Sequence, residues 1–301
     1  GEIIKKLPQN TFTLETNDQL QATITAGSAA FTLNGLSAHD YPQLPEVEKD
    51  HVLTLPVPLF RQVILQTSIA VSTAESRPIL TGIHMVIANN QLKAVATDSH
   101  RLSQRIIPLE MPATSNALTF EITLPGKTLI ELSRIIDGLE TIDFAITENQ
   151  VLFQTETLSF YSRLLEGRYP DTDRLINDQF NTAITVVASD LVAAVDRASL
   201  MSHTDKNNIA TLSINENRIL LTGNSPEIGK VEEEIMVENY EGASLEVSFN
   251  PDYLKDALRL FGSSEAKIQF LEANRPFTLT LKDNHSDIPY SFIQLVTPVR
   301  T

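Results

Sequence analysis

The sequence predicts an α+β fold assembled from repeated β-α-β-β-β units, and three observations carry that prediction. Four strand-to-helix junctions begin at Leu53, Ile122, Ile184 and Val247, spaced 69, 62 and 63 residues apart. Each junction opens a helix-length pattern with one apolar stripe, followed by about three short segments of alternating polarity. One helix per unit cannot cover both faces of a sheet, so helices are expected on one side and antiparallel sheet on the other.

In chain order, Glu2-Ile3-Ile4-Lys5-Lys6-Leu7-Pro8 reads as the tail of a helix, and Thr11–Glu15, Leu20–Ala26 and Ala30–Leu36 alternate as strands. The connector His39-Asp40-Tyr41-Pro42-Gln43-Leu44-Pro45 is punctuated by proline. The first full unit runs through Leu53-Thr54-Leu55-Pro56 into a helix over 56–67 that turns Leu59, Phe60, Val63 and Ile64 inward. Its strands are Gly82–Ala88, Leu92–Thr97 and Leu102–Ile107, with a turn at Asn89-Asn90 and a polar corner at Thr97-Asp98-Ser99-His100-Arg101. The second unit has a helix over 125–137 (Leu129, Leu132, Ile135, Ile136), then Ile142–Thr147, Val151–Gln154 and Leu158–Leu164, turning at Glu148-Asn149-Gln150. In the third, a helix over 189–201 (Leu191, Val195, Ala198) precedes Ile209–Ile214, Arg218–Thr222 and Val231–Val237. The fourth places a helix over 251–262 (Leu254, Ala257, Leu258, Phe261) before Ala266–Leu271, Phe277–Lys282 and Pro289–Val296. Proline, serine or asparagine at these junctions fits a helix start.

A second repeat pairs the units. Leu36…Tyr41-Pro42-Gln43 recurs as Leu165-Glu166-Gly167-Arg168-Tyr169-Pro170-Asp171, before the first and third units, and reads as a linker between two-unit domains. The expected domains are 1–48, 49–178 and 179–301. The first holds only the second half of a pair, which predicts one further unit of about 60–70 residues upstream on this repeat length.

Composition narrows the function. The 301 residues carry a formal net charge of −15 and no cysteine. That excludes disulfides, thiolate metal sites and a cysteine nucleophile. It also argues against retention on nucleic acid by bulk phosphate attraction. No run of 18 apolar residues and no leader pattern occurs, which predicts a soluble, cytoplasmic protein with no membrane partner.

The most chemically loaded segment is the corner at 97–101. Asp98, Ser99 and His100 suggest a nucleophilic triad, but triad partners converge from separate parts of a fold, whereas neighbours on a turn diverge. No G-x-S-x-G elbow accompanies them, and a capped turn accounts for the same residues. The six histidines (39, 51, 84, 100, 203, 285) lack metal-ligand spacing, and Glu232-Glu233-Glu234 reads as a solvated strand face. No catalytic residue, metal or cofactor is predicted.

Basic residues on the helices are Arg61, Lys127, Arg134, Arg197, Lys255 and Arg259, and the four helices carry six basic and six acidic residues against an acidic remainder. They form either a surface less repulsive to phosphate than the rest or ordinary solvated faces with local ion pairs. Arg101 and Arg174 are anion contacts or surface charges, Tyr253 flanks its helix stripe, and the stretch 293–300 is either an edge strand or a wall for a partner peptide.

Taken together, Arg77-Pro78-Ile79-Leu80-Thr81-Gly82, Ala96-Thr97-Asp98-Ser99-His100-Arg101-Leu102, Glu166-Gly167-Arg168-Tyr169-Pro170-Asp171, Phe249-Asn250-Pro251-Asp252-Tyr253-Leu254 and Pro298-Val299-Arg300 closely resemble the bacterial DNA polymerase III beta subunits, the replicative sliding clamps, of the low-GC Gram-positive type. The resemblance spans the whole chain. It implies a clamp fold whose helices line a ring of two chains with sheets outside, a non-enzymatic processivity factor threaded on duplex DNA. Retention would be topological, so weak phosphate contact from the helix basics and from Arg77 would suffice. It further implies a groove for short Leu- and Phe-containing peptides of the replicative polymerase, the clamp loader and repair polymerases. That groove would comprise Leu80, Thr97, His100, Arg101, Leu102, Pro170, Arg174, Leu175, Asn250, Tyr253, Thr278, Leu295, Val296, Pro298, Val299 and Arg300. Ser99 stands where many clamps have glycine, and Asn207 where some place an aromatic gate. Phe31, Leu200 and Met201 fall at interface positions of the homodimer. The rival reading is a peptide-binding scaffold of the same fold that never encircles DNA.

Overall fold

A computed structural model describes residues 1–41, 52–109, 119–147, 149–176, 179–202, 208–216, 218–282 and 292–300. Of the positions singled out in the sequence, residues 42–45, the domain boundary at 48–49, His51, Glu148, residues 177–178, His203, Asn207, His285 and the start of the last strand at 289–291 lie outside the described residues. The chain divides into two compact units, Gly1–Val47 and Glu48–Thr301.

The first unit contains the short helix α1 (Glu2–Lys5) and an antiparallel sheet of β1 (Thr13–Thr16), β2 (Gln21–Ala26) and β3 (Ala29–Asn34) in that order. Its buried apolar residues are Ile24 and Ala26, both on the central strand, two residues apart and so on one face.

The second unit repeats the predicted pattern four times. The first repeat is β4 (Val52–Pro56), α2 (Val57–Ser68), β5 (Gly82–Ala88), β6 (Gln91–Thr97) and β7 (Arg101–Pro108); the second is β8 (Phe120–Pro125), α3 (Gly126–Ile135), β9 (Thr141–Ile146), β10 (Gln150–Gln154) and β11 (Ser159–Arg163). The third is β12 (Thr182–Val187), α4 (Ala188–Ser202), β13 (Ala210–Ile214), β14 (Ile219–Ser225) and β15 (Gly229–Glu234), followed by β16 (Asn239–Gly242). The fourth is β17 (Leu245–Phe249), α5 (Pro251–Arg259), β18 (Glu265–Phe270), β19 (Phe277–Leu281) and β20 (Phe292–Val296).

Strand β16 was not anticipated from the sequence. Its four residues, Asn-Tyr-Glu-Gly, have no apolar alternation, and tertiary pairing with β12 makes them a strand. Asn89 and Asn90, at φ 53° and 56°, form the predicted hairpin turn in the left-handed conformation that asparagine tolerates.

Within the second unit, the repeats interlock by exchanging strands. β4, the opening strand of the first repeat, pairs with β9 of the second, and β8 returns to β5, giving a four-stranded sheet β11-β10-β9-β4. The other sheets are β15-β14-β13-β17 and a nine-stranded sheet, β16-β12-β18-β19-β20-β7-β6-β5-β8. Helices pack in pairs, α2 with α3 and α4 with α5, against these sheets. The α2 stripe of Val57, Phe60, Val63 and Ile64 is fully buried, and Phe60 meets Phe144 edge-on at 4.7 Å and stacks on Phe153 at 5.9 Å. Pro58 near the start of α2 and Asn250 before α5, whose side chain accepts from the Asp252 N–H at 2.9 Å, set where those helices begin. None of the described helices is long and apolar enough to cross a membrane.

The seam of the nine-stranded sheet is the antiparallel ladder between β7 and β20, residues almost 200 apart in sequence: Phe292 faces Arg105, Gln294 faces Ser103, Leu295 faces Leu102 and Val296 faces Arg101. Buried Gln294 donates from Nε2 to Ser103 Oγ at 2.5 Å, and Ser103 Oγ donates to the Gln66 carbonyl. The last strand of the chain is thereby fixed beside the 97–101 corner.

Candidate peptide groove and helix faces

The corner closes on its own side chains. Asp98 Oδ1 accepts from the His100 and Arg101 N–H groups at 2.9 and 3.0 Å, and its Oδ2 accepts from Arg101 Nε at 3.0 Å. Thr97 Oγ1 donates to the Arg101 carbonyl at 2.7 Å and accepts from the Ser99 N–H at 3.2 Å. Ser99 takes φ +79°, the left-handed turn conformation that glycine adopts most readily. Asp98 is therefore the cap of a turn, as the non-catalytic reading requires, and is committed to backbone and to Arg101.

Arg101 is held from three directions. Besides Asp98, its Nη1 donates to Asp256 Oδ2 on α5 at 2.8 Å, and its guanidinium lies 4.7 Å above the Tyr253 ring. His100 lies roughly parallel to the same ring, with centroids 6.0 Å apart. Burial is the first cause raising the Tyr253 phenol above its ordinary pKa, so it stays neutral. His100, Arg101 and Tyr253 together form a lip that joins the first repeat to the fourth.

Beneath the lip is a small apolar cluster of Leu80, Val95, Leu102, Tyr169 and Leu295, with Ile79 and Ile176 against it. The tail after β20 makes the adjoining wall. Thr297 N–H donates to the His100 carbonyl at 2.9 Å and Val299 N–H to the Ser248 carbonyl at 2.7 Å, with Pro298 buried between them. Two clefts open beside these residues. One, of about 280 Å³, is lined by Arg174, Leu175, Gln269, Arg275, Pro276 and Thr278; Thr278 is the cross-strand partner of Leu295 and so connects this cleft to the apolar cluster. The other, of about 470 Å³, is lined by Glu246, Ser248, Asn274, Val299 and Arg300.

Fourteen of the sixteen groove residues thus fall around the corner or in the two clefts, and Pro170 and Asn250 stand apart. Leu80, Thr97, His100, Arg101, Leu102, Tyr253, Leu295, Val296 and Pro298 surround the corner. Arg174, Leu175 and Thr278 form the first cleft, with Arg174 exposed and paired to Asp171 at 2.8 Å. Val299 and Arg300 edge the second cleft, Pro170 is exposed beside Tyr169, and the Asn250 side chain is engaged in capping α5. Sequence reasoning missed Asp256, which anchors Arg101 from another repeat, and gave Tyr169 no place in the groove, reading it as part of a linker and of a family motif. The Tyr-Pro dipeptide gave no sign that the tyrosine would be 5% exposed.

The helix basics are mostly partnered with carboxylates. Arg61 on α2 donates to the Ser133 carbonyl on α3 at 2.8 Å and pairs with Asp137. Lys255 on α5 pairs with Asp196 on α4 at 3.0 Å and with Asp252 at 3.2 Å. Arg134 pairs with Glu131, Arg259 with Asp256 and Arg197 with Glu233; the last pair holds the guanidinium above and the carboxylate below their ordinary pKa values, the mutual hydrogen bond being the first cause. Arg77 reaches Ser99 of the corner at 3.2 Å. Lys127 is exposed and has no ion pair among the described residues. Glu232, Glu233 and Glu234 pair with Lys230, Arg197 and Arg218, and no group of three metal-ligating side chains occurs among the described residues. Of the interface candidates, Phe31 on β3 and Leu200 on α4 are exposed at 39% and 66%, and Met201 is half-buried.

Comparison with known proteins gives a consistent picture. Family models of the DNA polymerase III beta subunit match in series: the N-terminal domain over residues 1–45, the central domain over 54–171 and the C-terminal domain over 173–294. The chain is 42% identical to the beta sliding clamp of Bacillus subtilis over 303 residues, covering 100% of this chain and 78% of the relative. It is likewise 42% identical to that of Streptococcus pneumoniae, at 99% and 78% coverage. Among solved structures, the beta subunit from the DNA polymerase of Streptococcus pyogenes superposes with a TM-score of 0.91 at 43% identity, covering 100% of this chain and 79% of that one. The Bacillus subtilis sliding clamp superposes with a TM-score of 0.92 at 42% identity, with coverage of 100% and 77%.

Proposed function

Because this chain belongs to the DNA polymerase III beta subunit family, a non-enzymatic sliding clamp, we propose that it holds its partners by a peptide groove centred on the 97–101 corner while a ring of two copies encircles duplex DNA. The observation that carries the groove is the β7–β20 ladder. It sets Leu295 against Leu102 and Val296 against Arg101, so the chain's last strand and its most polar corner share one surface.

Each wall has a chemical task. The cleft at Arg174, Leu175 and Thr278 borders apolar surface, and suits a leucine or phenylalanine anchor. The rim of His100, Arg101 and Tyr253 supplies aromatic area and a guanidinium whose orientation is already fixed, so little side-chain entropy remains to be lost on binding. The partners on this reading are short Leu- and Phe-containing segments of the replicative polymerase, the clamp loader and repair polymerases. We assign Arg61, Arg77, Lys127, Arg134, Arg197, Lys255 and Arg259 to the DNA side, and Phe31, Leu200 and Met201 to contacts between copies. Residues 49–178 and 179–301 are taken as the middle and last of the clamp domains, and the protein's place as the cytoplasm at the nucleoid. The relatives, named sliding clamps, do not favour a scaffold that never encircles DNA.

A labelled peptide of the Gln-Leu-x-Leu-Phe type tests the groove by titration. The wild type is expected to bind it, with Tyr253→Ala weakening affinity about tenfold or more, as for an aromatic hot spot, and Arg174→Ala weakening it less. Binding indifferent to both substitutions would remove the groove from this surface.

A further inference from the structure

We propose that Tyr169, seated on His84, is a positioning residue of the peptide groove: its hydroxyl fixes the start of the 97–101 corner and so aims His100 and Arg101. The inference rests on the groove reading above.

Strand pairing leaves a gap that Tyr169 fills. The ladder between β5 and β6 ends at His84↔Val95, two residues short of Thr97, the last residue of β6. The Thr97 N–H therefore runs beyond the end of that ladder, and it donates instead to Tyr169 Oη at 3.0 Å. Thr97 is 6% exposed, so a lost acceptor would leave a nearly buried donor. The same residue uses its hydroxyl to hold the far end of the corner, at the Arg101 carbonyl and the Ser99 N–H. One tyrosine thus orients the residue that closes the turn from both ends.

Tyr169 is itself held rigidly. Its ring lies on the His84 imidazole with centroids 4.6 Å apart and an interplanar angle of 4°, and it belongs to the apolar cluster with Leu80, Leu102 and Leu295. His84 in turn is bound through Nδ1 to Thr123 Oγ1 at 3.0 Å, and its Nε2 lies 3.4 Å from Glu121. Thr123 and Glu121 are on β8, the strand at the far edge of the nine-stranded sheet. Burial pushes the tyrosine hydroxyl up to about 12, so it remains a neutral acceptor for the amide. The Tyr-Pro segment that marks a linker in the sequence is, by this geometry, also a strut under the groove.

The test separates this idea from the groove itself. Tyr169→Phe keeps the ring and the stack but deletes the acceptor; Tyr169→Leu removes the stack as well. If the wild type binds the Gln-Leu-x-Leu-Phe peptide, Tyr169→Phe is expected to raise Kd about three- to tenfold, the loss typical of one hydrogen bond. Amide exchange should accelerate at Thr97 and its corner neighbours while the β7–β20 ladder stays protected. Tyr169→Leu should bind more weakly still, and should it not fold, the phenylalanine variant decides alone. Unchanged affinity in Tyr169→Phe, or weakened affinity with exchange at Thr97 unaltered, would overturn the proposal. A wild type that fails to bind the peptide would instead overturn the groove.

Discussion

Arg101 gathers its neighbours at the residue scale because a guanidinium offers a planar fork of donors and a face that stacks. Asp98, Asp256 and Tyr253 each take one of those surfaces, and together they leave a lip preset in shape. His84, stacked on Tyr169, gives a titratable handle on the same region. Burial is the first cause lowering its pKa below the ordinary 6.5; Glu121 opposes the shift and Lys93 reinforces it. A histidine depressed in the folded state binds its proton more readily when unfolded. Stability is then undiminished above the unfolded pKa and falls as pH drops below about 6.5 toward the folded value. The thermal midpoint of the wild type is expected to decline more steeply between pH 7 and pH 5 than that of His84→Gln. Parallel pH profiles for the two proteins would exclude His84 as the source.

Strand exchange decides the architecture at the scale of elements. Each opening strand crosses to its sister repeat, and the β7–β20 ladder then joins the first repeat to the fourth, so residues distant in sequence become hydrogen-bonded neighbours. Leu102 is the apolar centre of that seam, 1% exposed and facing Leu295. Leu102→Ala should cost about 2–5 kcal/mol, as truncation of a buried leucine does, and lower the denaturant midpoint of the whole second unit. A loss below about 0.5 kcal/mol would show that the seam collapses freely. Most elements were legible in the sequence because helix stripes and strand alternation are local. The helices predicted over 56–67, 125–137, 189–201 and 251–262 end within three residues of those observed. What local pattern could not reveal was pairing: β16 is polar and gains its identity only from β12, and Tyr169 gains its role only because the β5–β6 ladder stops short of Thr97. The corner residues were legible by their motif, whereas Asp256, the anchor of Arg101, lies 155 positions away and carries no motif.

Net charge and topology must be reconciled at the scale of the whole molecule. A chain with a formal charge of −15 gains little from the phosphate field at long range. A clamp threaded on DNA has no need of it. Loaded on nicked circular DNA, the protein is expected to stay bound as salt rises from 50 to 200 mM, a range that costs a protein held by six to ten phosphate contacts about 10³–10⁵ in affinity. Cutting the circle should release it at every salt concentration. Equal retention on circular and linear DNA, or salt-driven loss from the closed circle, would contradict topological tethering. The ion pairs across the helix pairs, Arg61 with Asp137 and Lys255 with Asp196, have a further consequence for movement. A phosphate passing such a cation competes with a carboxylate already in place, so an approach exchanges one partner for another and gains little net energy. On the proposed reading this leaves the inner surface only faintly corrugated along the duplex. Friction would stay low because the charges that could grip the backbone are already occupied, and the clamp would travel by having few places to stop.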